Sequence, residues 1–252
     1  MTLHQGEEFR GIVVSRKNYR ERDMLVKILT DRFGFKTFFV RGVRKRGFKL
    51  GAAILTYTHG TYLGSINDQG LSFITTPREI EQFQNISQDI ELNAYSAYIL
   101  SLSEQAFKED WVPYWYAKLE QALILIDENV DAAVITNIIE VQLLEFFGVK
   151  PFFESCTICH RTELEFDYSE SYGGLLCQRH WHLDPNRLHL DQRTIYFLRL
   201  FSAVKLDKIN GITLEKETKL RLRRTLDEIY RQQVGVYVKA KHFLDQMQYW
   251  EI

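Results

Sequence analysis

The repeat of apolar residues changes period once along this chain, and that change does most to constrain the fold. Through about residue 76, apolar residues sit in short β-branched or aromatic runs at 9–14, 25–30, 35–40, 57–63 and 71–75. Two turn sequences, Asp31-Arg32-Phe33-Gly34 and Asn67-Asp68-Gln69-Gly70, separate neighbouring runs. Such runs predict five strands. Their spacing, with one longer connection after the third, suits a small barrel of the OB type, with a five-stranded sandwich fragment as the alternative.

From Pro77 onward the spacing becomes helical. Leu92, Tyr95, Ile99, Leu102 and Ala106 form one amphipathic stripe. Trp115, Leu119, Ala122, Leu123 and Ile126 form a second, opened by Pro113 at an early-helix position. Residues 131–147 are apolar on most sides, which predicts a central buried helix stopped by Gly148 and Pro151. Residues 192–203 and about 214–233 predict two closing helices. The expected class is α+β: an N-terminal OB-type barrel over 1–80, then an all-α domain over 81–252 with a small insertion at 154–185.

That insertion carries the firmest chemical signal. Cys156-Thr157-Ile158-Cys159 is followed after seventeen residues by Cys177-Gln178-Arg179-His180. Ligands two residues apart can be aimed by one tight turn at one ion, and two such pairs close a tetrahedron of thiolates and imidazole suited to Zn²⁺. Gly173-Gly174 supplies a turn just before the second pair. His180 keeps the spacing, although His160 and His182 are close enough to compete. Four protein ligands leave no open position, so the metal is expected to be structural. Three cysteines in this arrangement do not make a disulfide framework and point to a reducing compartment.

Charge is segregated behind a formal net of −1. Residues 1–50 hold 13 Lys and Arg against 5 Asp and Glu; residues 77–131 hold 3 against 11; residues 187–241 hold 13 against 6. Arg41-Gly42-Val43-Arg44-Lys45-Arg46-Gly47-Phe48-Lys49 contains five cations and no carboxylate. It reads as a flexible cationic loop leaving the third strand, beside Phe35, Phe38 and Phe39. Lys17, Arg20 and Arg22 extend it. Cations neutralise phosphates while exposed rings stack on bases, so the eight residues Lys17, Arg20, Arg22, Arg41, Arg44, Lys45, Arg46 and Lys49 are candidate nucleic-acid contacts. At least two of the three phenylalanines are expected in the barrel core. A second cluster, Lys216, Lys219, Arg221, Arg223 and Arg224, reads either as a solvated helix face or as a site for an acidic partner or nucleic acid.

The chain has no Gly-rich phosphate loop, His-Glu-x-x-His or nucleophile elbow. No apolar run is long enough to span a bilayer, and the first residues carry no basic leader, so cytoplasmic residence is expected.

In their order, these features resemble the bacterial RecO family of DNA repair and recombination mediators. The carrying segments are Gly11-Ile12-Val13-Val14, Tyr19-Arg20-Glu21-Arg22-Asp23-Met24-Leu25-Val26, Thr30-Asp31-Arg32-Phe33-Gly34, Val40-Arg41-Gly42-Val43-Arg44, the exit from Gly148 to Pro151, Gly173-Gly174-Leu175-Leu176-Cys177 and Leu222-Arg223-Arg224-Thr225-Leu226. The resemblance implies a nucleoid-associated, non-enzymatic protein that binds single- and double-stranded DNA and anneals complementary strands. It also implies work with RecR to help RecA replace the single-strand-binding protein, whose acidic tail is a further partner. Zinc-bearing relatives usually have four cysteines, whereas His180 stands in the fourth place here. Two other readings compete: a zinc-dependent hydrolase or nuclease with an open fourth position and Glu154 as base, and a protein-interaction scaffold that binds no DNA.

Overall fold

A computed structural model of the chain describes residues 3–209 and 211–250. Five strands, β1 (Leu3–Tyr19), β2 (Asp23–Thr30), β3 (Gly34–Val40), β4 (Thr58–Asn67) and β5 (Leu71–Gln82), close into a barrel of order β1-β2-β3-β5-β4. Every pairing is antiparallel except β3 with β5, where Thr37 faces Leu71 and Phe38 faces Ser72. The N-terminal five-stranded sheet followed by helices is consistent with an OB-type barrel and a helical region. Phe9, Val13, Val26, Ile28, Phe38, Tyr62 and Ile66 fill the barrel, joined by Ala53 and Ile54 from a short 3₁₀ turn. Their alternation along each strand puts one face inward, while on the other face Ile12 and Leu29 are also fully buried.

β5 does not end near Pro77; it runs on to Gln82. Pro77 faces Tyr62, and the register with β4 shifts on either side of that pair, between His59 and Thr61 and between Leu63 and Gly64. An irregular ladder is where a strand tolerates a residue with no N–H to donate.

The helices are α1 (Gln84–Gln88), α2 (Ile90–Ala106), α3 (Tyr114–Asp127), α4 (Ala132–Leu143), α5 (Gln192–Ala203), α6 (Lys216–Ile229) and α7 (Lys239–Trp250). Asp89 caps α2 by accepting from the amides of Glu91 and Leu92, and Pro113 precedes α3 as its proline spacing predicts. The buried stripe on α3 is Trp115, Leu119, Ala122, Leu123 and Ile126. The segment expected as one helix over 131–147 is α-helical through Leu143 and tightens to 3₁₀ over Leu144–Phe147 before Gly148, whose φ of 80° closes it. Helix α6 starts two residues later than expected and ends in one π turn, Tyr230–Val234, before Gly235.

Sequence periodicity missed α7 entirely. By compactness, residues 1–129 and 240–252 make one unit and residues 130–239 the other. The change from sheet to helix therefore falls inside the first unit, at Phe83, which caps α1. Among the described residues no helix is long and apolar enough to cross a membrane.

Candidate metal centre and nucleic-acid interface

Within the second unit, β6 (Phe166–Ser169) and β7 (Gly174–Cys177) form a hairpin that carries Cys177 at its end. Gly174 is obligatory: a Cβ there would lie 2.5 Å from the Phe152 carbonyl oxygen. That close approach pairs the chain at Phe152 with the hairpin, through Phe152 N–H to Gly173 and Leu175 N–H to Phe152. The first knuckle is then set beside the hairpin by Thr157 N–H donating to Leu175 and by His160 N–H donating to Cys156. On the other side, the Gln192 side-chain amide bonds both backbone groups of Phe166, and buried Asp167 accepts from the amides of His189 and Leu190.

These constraints bring Cys156, Cys159, Cys177 and His180 together, with all four ligand atoms within 4.8 Å of one another. Cys159 Sγ is 3.7 Å from Cys177 Sγ, and His180 Nδ1 is 3.4 Å from Cys156 Sγ and 3.3 Å from Cys177 Sγ. A tetrahedral ion with metal–sulfur bonds of about 2.3 Å and metal–nitrogen bonds of about 2.0 Å requires sulfur–sulfur separations near 3.8 Å and sulfur–nitrogen separations near 3.5 Å. The four residues can hold a metal ion. His180, rather than His160 or His182, takes the fourth position. Burial pushes the Cys156 thiol up, but backbone amides of Cys159, Cys177 and Ile158, together with His180, outweigh it and bring the thiol down to about 6. Burial raises the Cys177 thiol.

The basic segments read from the sequence divide into two very different environments. In the first unit, Lys17, Arg20, Arg22, Arg41, Arg44, Lys45, Arg46 and Lys49 are all exposed. Tyr19 pairs with Asp23 at the end of the β1–β2 hairpin, and Met24 pairs with Val40 at the end of β2–β3. The two basic connections therefore leave the barrel at one rim, and Gly42 N–H donates to Asp23 Oδ1 at 2.9 Å between them. Among the described residues none of the eight cations has a carboxylate partner, although Arg10, Lys27, Arg32 and Arg78 of the same barrel all do. The 41–50 connection, expected as a flexible loop, has local structure. It is a run of turns held by Lys45 N–H to Gly42 and Phe48 N–H to Lys45, with Val43, Phe48 and Leu50 packed on the barrel core.

Helix α6 is the opposite case. Arg223 is buried, with its guanidinium in a two-pronged bond to fully buried Glu140 at 2.8 and 2.6 Å and a further bond to Asp227. Lys219 pairs with Asp131, and Arg221 with Asp191 and Glu217. Of the five cations in this cluster, only Lys216 and Arg224 are exposed and without a carboxylate partner among the described residues. A helical net shows which cations share a side of α6; it does not show that carboxylates from other elements answer them.

The rim also holds aromatic residues the strand pattern concealed. Phe38 enters the core, but Phe35 lies against Trp111 and Phe39 faces outward, edge-on to Tyr19 and Phe73. Only one of the three phenylalanines is a buried core residue. The reversed polarity of Leu71-Ser72-Phe73 was the available signal, since Ser72 is buried while both apolar neighbours face water.

Fold and site define a class: a five-stranded barrel with an uncompensated cationic rim, followed by a helical region in which a small hairpin and its neighbouring turns assemble a Cys₃His cluster. Two family models match this chain, Recombination protein O N terminal over residues 2–83 and Recombination protein O C terminal over residues 87–242. DNA repair protein RecO of Ligilactobacillus salivarius is 60% identical over 249 residues, 97% of this chain and 95% of the relative. The Latilactobacillus sakei protein of the same description is 55% identical, covering 98% and 91%, and that of Enterococcus faecalis is 43% identical, covering 97% and 94%. The chain belongs to the RecO family, and this membership supports a role in DNA repair and recombination.

Proposed function

We propose that this protein is a non-enzymatic recombination mediator in the cytoplasm, acting at the nucleoid. It binds single- and double-stranded DNA, anneals complementary strands, and with RecR helps load recombinase onto strands covered by single-strand-binding protein. The acidic tail of that protein is a further partner. Family membership supports this assignment, and the observation that carries its physical side is the rim of eight cations without carboxylates. Cations left unanswered by the protein are answered by phosphates, with release of condensed counterions.

The metal is zinc in a bracing role. Three thiolates and one imidazole are the donor set Zn²⁺ prefers, and His180 at bonding separation leaves no protein-free fourth position of the kind a hydrolytic site requires. Of α6, Lys216 and Arg224 are the cations free to meet an acidic partner.

Fluorescence anisotropy of labelled strands and duplexes tests the assignment. Binding should be independent of base sequence and fall by at least about tenfold between 50 mM and 200 mM salt. A protein that binds neither strand nor duplex at low salt is the scaffold of the competing reading.

A further inference from the structure

The rim described above explains phosphate binding, which strand and duplex share. It does not by itself explain how unpaired DNA would be told from paired. The outer face of the barrel beside it holds a row of rings in which Tyr19, at the end of β1, lies 6.0 Å from Phe39 of β3, and Phe39 lies 6.3 Å from Phe73 of β5, both pairs edge to face. Tyr19 is 37% exposed and Phe73 46%, so neither ring belongs to a core. Phe39, Phe48, Leu50, Phe73 and Ile74 also line, with Arg41, an open groove of about 430 Å³. That volume lies in the range of pockets that take small organic groups.

Two arginines mark the ring row. The Arg20 guanidinium lies 5.2 Å from the Tyr19 ring centre, and that of Arg41 lies 5.9 Å from that of Phe39. Neither has a carboxylate partner among the described residues. Apolar rings and uncompensated cations side by side suit one ligand chemistry, a flat apolar base on a phosphate backbone. A duplex presents the phosphates but keeps its base faces stacked inside; only an unpaired strand offers both.

We propose that Tyr19, Phe39 and Phe73 form a base-stacking platform for single-stranded nucleic acid, with the groove beside Phe48 receiving an unpaired base. This rests on the DNA-binding reading and adds to it the residues that select unpaired strand. The cations supply attraction common to both forms, and the rings supply the difference.

The test is anisotropy with a labelled oligothymidine and with a duplex of equal length, on the full chain and on Tyr19→Ala, Phe73→Ala and Phe73→Trp. Each alanine variant should lose about tenfold in affinity for oligothymidine. Duplex affinity and the salt slope should stay unchanged. Phe73→Trp should retain strand binding, and its added fluorescence should be quenched by oligothymidine and not by duplex. Thermal unfolding followed by circular dichroism identifies any alanine variant that has lost its fold; the quenching result then decides alone. Equal losses on strand and duplex, no loss on either, or an unquenched tryptophan would overturn the platform while leaving phosphate binding intact. Absence of DNA binding by the unaltered chain would overturn both.

Discussion

Two arginines one position apart on α6 differ in almost everything that matters physically. Arg223 answers the buried charge of Glu140, whereas Arg224 points into solvent. Truncating one member of a buried pair leaves the other charged and desolvated. Arg223→Ala should therefore lower the stability of the second unit by about 3–5 kcal/mol in urea denaturation. Arg224→Ala should change it by less than about 0.5 kcal/mol. Similar losses for both would mean that the pair with Glu140 is not formed in solution. Asp191 gives a pH-dependent counterpart. It caps α5 by accepting from the amides of Arg193 and Thr194. Burial alone would raise its carboxyl, but the Thr194 hydroxyl and amide and the Arg221 guanidinium hold it down at about 2. A carboxyl depressed in the folded state stabilises above its ordinary range and ceases to do so as pH falls through its folded value. Asp191→Ala should cost about 1 kcal/mol near neutrality, and the difference from the unaltered protein should shrink as pH falls from about 4 toward 2. A penalty that persists unchanged into acid would contradict the cap.

The hairpin of β6 and β7 shows an element whose geometry is dictated by what it must hold. It has four residues per strand, too few for independent stability, and it is supported from outside by Phe152, by Gln192 and by the His189 and Leu190 amides that donate to its own Asp167. Metal binding to four side chains from both ends of this segment couples directly to its folding. Hydrogen exchange should show loss of protection across residues 154–185 after chelation, with the barrel strands unaffected. Cobalt substitution should give a four-coordinate spectrum that His180→Ala alters and His182→Ala does not. Unchanged exchange on chelation would remove the bracing role. The ligand spacing was legible in the sequence because one turn geometry serves all such pairs. The supports were not, because Gln192 and Asp167 are ordinary polar residues until the fold brings Gln192 to Phe166 and the 189–190 amides to Asp167. Strand runs were legible for the same reason of period, but the ends of β1 and β5 were not. Their polar outer residues, such as Glu7, Glu8 and Arg78, pair across the sheet rather than with apolar neighbours. Helix α7 carries Ala240, Leu244 and Met247 at helical spacing, a stripe too short to stand out, and of these Leu244 is fully buried.

At the scale of the molecule, the chain separates its cations into paired and unpaired populations that composition alone cannot sort. Both cationic stretches stood out in the sequence equally. In the first unit, carboxylates of β1, α2 and α3 are taken by Arg10, Arg32, Arg78 and Lys27, and among the described residues the rim cations have no carboxylate partner. In the second, Asp131, Glu140, Asp191 and Asp227 neutralise most of α6. Which cations are paired depends on residues far along the chain, 110 positions away for Arg10 and Glu120 and 88 for Lys219 and Asp131. The central claim is that the unpaired set at the rim binds phosphate. The most direct test is the slope of log affinity against log salt for a labelled single strand, compared between the unaltered chain and Arg44→Ala/Lys45→Ala/Arg46→Ala. Loss of three phosphate contacts should weaken binding at low salt and flatten the slope by about 2. Affinity and slope that both stay unchanged would contradict the account.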